Sequence, residues 1–165
     1  MDKDKKKRIR YIEETVFTVV KEAAVAYGTS KSPLHLVSSL SADDKFGYLK
    51  VVKSGLTFKD LEQFMDMSEL HLDDMSAILH INSRTLRRFE SDDLLSLDIS
   101  EKLVNLLRLY KLGHEVFGDP SIFNKWMRRP IKGLGFELPL TMLVTTIGTE
   151  IVSDELVRIS YGVYG

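Results

Sequence analysis

At 165 residues with 44% hydrophobic content, the chain can bury one compact core or two small ones, and two small helical units are the expectation. The absence of cysteine excludes a disulfide scaffold and a thiolate metal site and suits a reducing compartment. The formal net charge of −1 hides an uneven distribution, since residues 1 to 10 carry six Lys/Arg against two Asp while residues 57 to 93 carry four against nine.

Residues 8 to 27 place Ile9, Ile12, Val16, Val19, Val20, Ala23 and Tyr27 at spacings of three and four, the period of one helix face. Glu13, Glu14, Lys21 and Glu22 interrupt any apolar signal or membrane span there, so a soluble, cytoplasmic protein is expected. Gly28 ends this helix, and the polar run Thr29 to Pro33 separates it from the rest of the chain. Ser41 with Asp44 then signals a helix burying Phe46, Leu49 and Val52 and stopping near Gly55. Thr57 with Asp60 repeats the signal, with Leu56 packing on Leu61 as a hydrophobic staple and Phe58, Leu61, Phe64 and Met65 facing inward.

A third helix over about Leu70 to Leu79 turns Leu72, Met75, Ile78 and Leu79 inward, and the next begins after only Ile81-Asn82. This closeness points to a helix-turn-helix, with small Ser76 at the crossing and Asn82 as the second N-cap. Leu86 and Phe89 point inward, while Arg84, Arg87 and Arg88 share the opposite face. Arginine forks suit phosphates and guanine edges, and Ser83 and Thr85 add further candidate DNA contacts. Two features oppose strong DNA binding. His80 occupies a turn position that favours glycine because its backbone needs a positive φ, and the surrounding acids subtract from the counterion-release term. The Lys/Arg arm at residues 3 to 10 is an electrostatic supplement, or else a solvated tail.

Residues 98 to 117 form the longest expected helix, with Asp98 and Glu101 as candidate caps and Ile99, Leu103, Leu106, Leu107, Tyr110 and Phe117 on one side. Gly118 closes it, and Asp119 and Pro120 fit N-cap and N1 of a helix turning Ile122, Phe123 and Trp126 to the core. Arg128-Arg129-Pro130 stops that helix. A glycine-bearing loop leads to Pro139 at the start of a helix expected to end near Gly148, and Thr149 caps a last helix through Ile159. The fold class is therefore all-α. Residues 1–40 form a basic arm and extra helix, 41–97 the helix-turn-helix unit, and 98–165 a second helical unit with the long linking helix.

No catalytic set stands out. His35, His71, His80 and His114 are scattered without matching ligands at metal spacing. Asp73-Asp74 and Asp92-Asp93 are neighbours whose side chains diverge. Gly133-Leu134-Gly135 lacks the preceding strand and third glycine of a phosphate loop. No cofactor, no metal and no enzyme activity are expected. Lys125, Arg128, Arg129 and Lys132 form a local basic patch suited to an acidic protein surface, to DNA phosphates or to solvent, and Trp126 reads as core.

The order Glu115-Val116-Phe117-Gly118-Asp119, Trp126, Pro130, Gly133, Gly135, Pro139-Leu140, Thr146, Gly148, Val152, Leu156, Ile159 and Tyr161-Gly162-Val163 resembles the Xre/MbcA/ParS toxin-binding domain, found in antitoxins of bacterial toxin–antitoxin pairs. The resemblance covers residues 46 to 165 and takes in the Xre-like helix-turn-helix. Met127 stands where the family usually has Leu, and Ile131-Lys132 where it usually has Asn and a polar loop. The resemblance implies a partner with a RES domain, a toxin that consumes NAD or transfers its ADP-ribosyl group, neutralised in a direct complex. The expected protein is an antitoxin that dimerises through its N-terminal part and represses its own operon at operator DNA. Bottom-up, a tail of small and aromatic residues can enter a concave pocket closed to a bulky helix, so Tyr161, Gly162, Val163, Tyr164 and Gly165, with Arg158, are the candidate toxin contacts. The alternative for Tyr161 and Val163 is a lid folded back on Trp126. The rival function is a stand-alone transcription regulator whose C-terminal unit dimerises.

Overall fold

The computed structural model describes residues 33–41 and 44–162. The expected first helix, the basic arm and the tail residues Val163, Tyr164 and Gly165 lie outside the described residues. Among those described, the fold is all-α: α1 (Pro33–Ser39), α2 (Lys45–Ser54), α3 (Phe58–Ser68), α4 (Leu72–Leu79), α5 (Ser83–Leu86), α6 (Leu97–Phe117), α7 (Pro120–Met127), a 3-10 turn (Lys132–Leu134), α8 (Pro139–Met142) and α9 (Thr146–Ser160). Among the described residues, strand-like pairing is limited to isolated bridges, Thr57 with Leu94 and Ile131 with Glu137.

The long helix α6 organises the rest. Its expected stripe is buried at Leu103, Leu106, Leu107 and Tyr110, but Val104 and Leu109 are buried as well, so elements cover it on several sides. Helices α1, α2 and α3 pack against it from the N-terminal half, and α7 and α9 from the C-terminal half. One hydrophobic cluster runs from Val37 in α1 to Leu156 in α9. The T-shaped pairs of Tyr110 with Phe64 and with Phe123 (ring centroids 5.0 and 5.1 Å) join the two halves through a single α6 side chain. Burial holds the Tyr110 hydroxyl well above its usual range, as desolvation of the anion requires.

Local chemistry explains where several elements depart from expectation. Asp44, not Ser41, caps α2 by accepting from the Gly47 amide at 2.8 Å. Starting there, the helix turns Tyr48, Val51 and Val52 inward and leaves Phe46 and Leu49 on the surface. The capping box at Thr57 forms as expected, the Thr57 amide donating to Asp60 Oδ2 at 2.8 Å, with Leu56 and Leu61 both fully buried beside it. Ser96 caps α6 by accepting from the Ile99 amide, while Asp98 instead pairs with Lys102 one turn on at 3.7 Å. Asp119 and Pro120 open α7 as N-cap and N1, but Ile122 faces solvent and Met127 takes the inward place. A fully buried Met127 is the volume-conserving substitute for leucine that a core tolerates.

The helix begun at Pro139 stops at Met142, because Thr145 intervenes as the cap of α9, its hydroxyl accepting from the Gly148 amide at 3.0 Å. Gly148 therefore lies inside α9 rather than ending α8. A Cβ there would fall on the Met142 carbonyl oxygen, so the glycine permits the close approach of α8 and α9.

Candidate functional site

Two surfaces carry the residues singled out by sequence: the helix-turn-helix and the end of α9. In the first, α4 opens with the Asp74 carboxylate accepting from the His71 amide at 3.0 Å and closes at His80 in the left-handed region, φ 57°. The Ser76 hydroxyl donates to the Ile81 carbonyl at 2.6 Å and the Ile81 amide to Ser76 O at 3.0 Å, so Ser76 cinches the turn as well as occupying it. Asn82 caps α5 by accepting from the Arg84 amide at 2.8 Å.

Arg84, Thr85, Arg87 and Arg88 are exposed and Ser83 is half-buried. Leu86 is fully buried, and Phe89 stacks on Phe58 with centroids 5.5 Å apart. Helix α5, however, is only four residues long, about 6 Å at 1.5 Å per residue. Only Arg84 lies within it. Arg87 caps its end, and Arg88 comes next in a tighter turn, its amide donating to Thr85 O at 3.1 Å. The three arginines are thus all exposed at, or just beyond, one short helical turn. Exposed Glu90, Asp92 and Asp93 come directly after.

At the other surface, α9 buries Val152, Leu156 and the carboxylate of Glu155. Arg158 pairs with Glu155 at 2.9 Å, and Gly133 leaves room for that carboxylate, since a Cβ there would meet it. Along the opposite side Ile147, Ile151, Arg158 and Tyr161 are all exposed at spacings of four, seven and three, which align on one helix face. Tyr161 is 77% exposed and Gly162 beside it has φ 77°, so Tyr161 points away from the core and is not a lid on Trp126. Trp126 itself is half-buried, stacked on Phe123 and tilted against Phe117 at 5.6 Å. Sequence reasoning missed Ile147, Ile151 and Phe136, the last exposed with a left-handed backbone, φ 65°. The spacing of Ile147, Ile151, Arg158 and Tyr161 marks this face once Gly148 is placed inside the helix.

Much of the remaining basic character is committed to the fold. Arg128 donates to the Asn124 carbonyl at 3.2 Å and to that of Glu69, tying α7 to the end of α3, whereas Lys125, Arg129 and Lys132 stay exposed. A groove of about 850 Å³ between α6 and α9 is lined in part by Lys102, Arg108 and Lys111. Lys102 donates to Leu79 O at 3.2 Å, Lys111 to the Ser38 and Leu40 carbonyls, and Arg108 lies 4.7 Å from the centre of the Tyr48 ring. Each cation holds neighbouring elements together. Among the described residues no three His, Cys, Asp or Glu side chains converge as a metal site, and no helix is long and apolar enough to cross a membrane.

Residues 48–108 match the antitoxin Xre-like helix-turn-helix domain and residues 112–162 the antitoxin Xre/MbcA/ParS C-terminal toxin-binding domain. Among curated proteins the chain is 28% identical over 115 residues to an Antitoxin Xre of Photorhabdus laumondii, covering 68% of this chain and 78% of the relative. It is 27% identical over 126 residues to a Prs ADP-ribosylating antitoxin of a Sphingobium species, covering 69% and 78%. A second Antitoxin Xre, from Yersinia enterocolitica, is 35% identical over 86 residues, covering 51% and 58%. With both domains present in order and meeting within α6, the chain belongs to the Xre/MbcA/ParS family of antitoxins.

Proposed function

We propose that this antitoxin neutralises a RES-domain toxin, one that consumes NAD or transfers its ADP-ribosyl group, by laying the end of α9 and the tail beyond it across the toxin's nucleotide cleft. One observation carries the reading: Tyr161 stands 77% exposed at the end of α9, on the same face as Arg158, Ile151 and Ile147. A rigid aromatic presented on a helix end is what a concave, partly apolar cleft can grip. Gly162, Val163, Tyr164 and Gly165 complete the plug, and exposed Phe136 adds a second aromatic on the same domain. Arg158 has a shared role, since it also partners buried Glu155.

The chain acts by binding rather than by catalysis, in the cytoplasm and as a homodimer. Ser83, Arg84, Thr85, Arg87 and Arg88 contact operator DNA and repress the operon. That contact is weak, because α5 is a single turn and the acidic turn beside it repels phosphates.

The test is growth and cellular NAD when the neighbouring gene is expressed alone, with the full chain, and with the chain ended after Ile159. Loss of both with the neighbour alone, recovery with the full chain and no recovery with the shortened one is the expected pattern. A harmless neighbour, or equal protection by the shortened chain, would overturn the plug and favour the stand-alone regulator.

A further inference from the structure

We propose that Phe136 is a pre-formed anchor for the toxin, an aromatic side chain held out on a strained turn for an apolar pocket of the toxin to take. The inference rests on the toxin-binding role of the C-terminal domain and gives it a contact that depends on neither α9 nor the tail. Gly135 and Phe136 both have left-handed backbones, φ 68° and 65°, and the Glu137 amide donates to the Leu134 carbonyl across them at 3.3 Å. Two successive residues of positive φ closed by such a bond make a tight hairpin turn whose central places favour glycine and asparagine. Glycine fills the first place. The second holds a bulky aromatic, whose Cβ is crowded by the following carbonyl oxygen in this conformation.

Burial of the ring does not offset that strain, since Phe136 is 69% exposed. The turn is nonetheless held firmly. The Leu134 and Phe136 amides donate to the Ile131 carbonyl at 3.0 and 2.9 Å, the Ile131 amide donates to the Glu137 carbonyl at 3.1 Å, and the Leu134 side chain is buried. Backbone strain that the surrounding structure enforces concentrates at ligand clamps and binding sites. An aromatic already fixed before the partner arrives also loses little freedom on capture.

The toxin is the occupant for two reasons. The turn lies inside residues 112–162, the stretch that matches the toxin-binding domain, and it is built onto α9. A Cβ at Gly133, in the 3-10 turn just before it, would fall on the Glu155 carboxylate, and that carboxylate pairs with Arg158 at 2.9 Å. The strained turn and Arg158 thus share one buried acid, so a toxin seated on Arg158 has the turn within reach. Exposed Lys132 and Glu137 flank the ring, an apolar centre with a polar rim of the kind that protein interfaces use.

Glycine at this position gives two readouts of different sign. Phe136→Gly removes the ring and relieves the backbone, so the full-length variant should melt no lower than the parent chain while binding the toxin about tenfold more weakly. The probe is the purified product of the neighbouring gene, titrated by calorimetry against each full-length chain. Phe46→Ala is the control, at a phenylalanine 79% exposed that precedes both matched domains, and it should bind like the parent. A lower melting temperature for Phe136→Gly would make the ring a part of the fold and overturn the proposal. Affinity equal to that of the parent, or an equal loss in Phe46→Ala, overturns the anchor alone. Failure of the parent chain to bind overturns the pairing with that toxin, and the anchor with it.

Discussion

His80 Nε2 lies 2.9 Å from the carbonyl oxygen of Val144, tying the turn of the helix-turn-helix to the segment that leads into α9. The same residue holds the left-handed conformation that ends α4. One side chain thus both strains the turn and tethers it.

Replacing His80 separates those two effects. His80→Gly relieves the left-handed strain but loses the tether, and the terms nearly cancel. His80→Ala keeps the strain and loses the tether, so it should be less stable than the glycine variant by about 1 kcal/mol. Urea unfolding of both variants checks the order, and equal stability would show that the turn does not need a positive φ.

Gly148→Ala should destabilise the fold by about 1–3 kcal/mol, because the new methyl meets a backbone carbonyl that cannot move aside without shifting α8. Gly118→Ala is the comparison. Its φ is 70° but a Cβ there meets nothing within 4 Å, so only backbone strain of about 1 kcal/mol is expected. Thermal melts of the two variants should rank them in that order.

Acid should weaken the fold through His114. Burial lowers its pKa from 6.5 to about 4, against a smaller opposing pull from Asp119, and its buried Nε2 has no hydrogen-bond partner among the described residues. Between those two values the unfolded chain binds a proton that the folded chain refuses. Stability from this group is therefore complete above pH 6.5 and declines as pH falls toward 4, by up to about 3 kcal/mol. Glu115, raised by burial against the pull of Lys111, contributes with the opposite sign as pH rises above 4.5. Denaturation between pH 7 and pH 5 should show a shallower decline for His114→Leu than for the parent chain.

Arg84, Arg87 and Arg88 are exposed and unpaired by any carboxylate among the described residues. Changing all three to Ala should therefore leave stability within about 0.5 kcal/mol per site. The salt dependence of binding to a DNA duplex should drop by up to about three in slope. An unchanged slope would place these residues outside any DNA contact.

The order of the helices from α2 onward was legible because capping chemistry and period reinforce each other: Thr57 with Asp60, Asn82, and Asp119-Pro120 each mark a start that the structure uses. Errors arose where two candidate caps lay within a turn of each other. A cap at Ser41 in place of Asp44 turns the wrong face of α2 inward, and a stop at Gly148 conceals the exposed face of α9. Glycine wanted for close approach and glycine wanted for a stop look alike in one dimension. The arginines were found as exposed residues, but not the brevity of α5, since Arg87 and Arg88 have ample helix propensity and only the tightening after Leu86 ends the turn. The tight turn at Ser76 and Ile81 likewise depends on a hydroxyl-to-carbonyl bond that spacing does not announce.

Helix α6 has a consequence for inheritance as well as for folding. Its two ends serve different neighbours, yet Tyr110 touches Phe64 on one side and Phe123 on the other, and a single apolar cluster includes both. A recombination event that swapped the C-terminal half for that of a distant cousin would have to find the same contour on α6, or the hybrid would melt as a whole. On the toxin-binding role proposed for α9, specificity for a new toxin is thus more readily acquired by drift along its outer face, at exposed positions such as Ile147, Ile151 and Tyr161, than by exchange of modules.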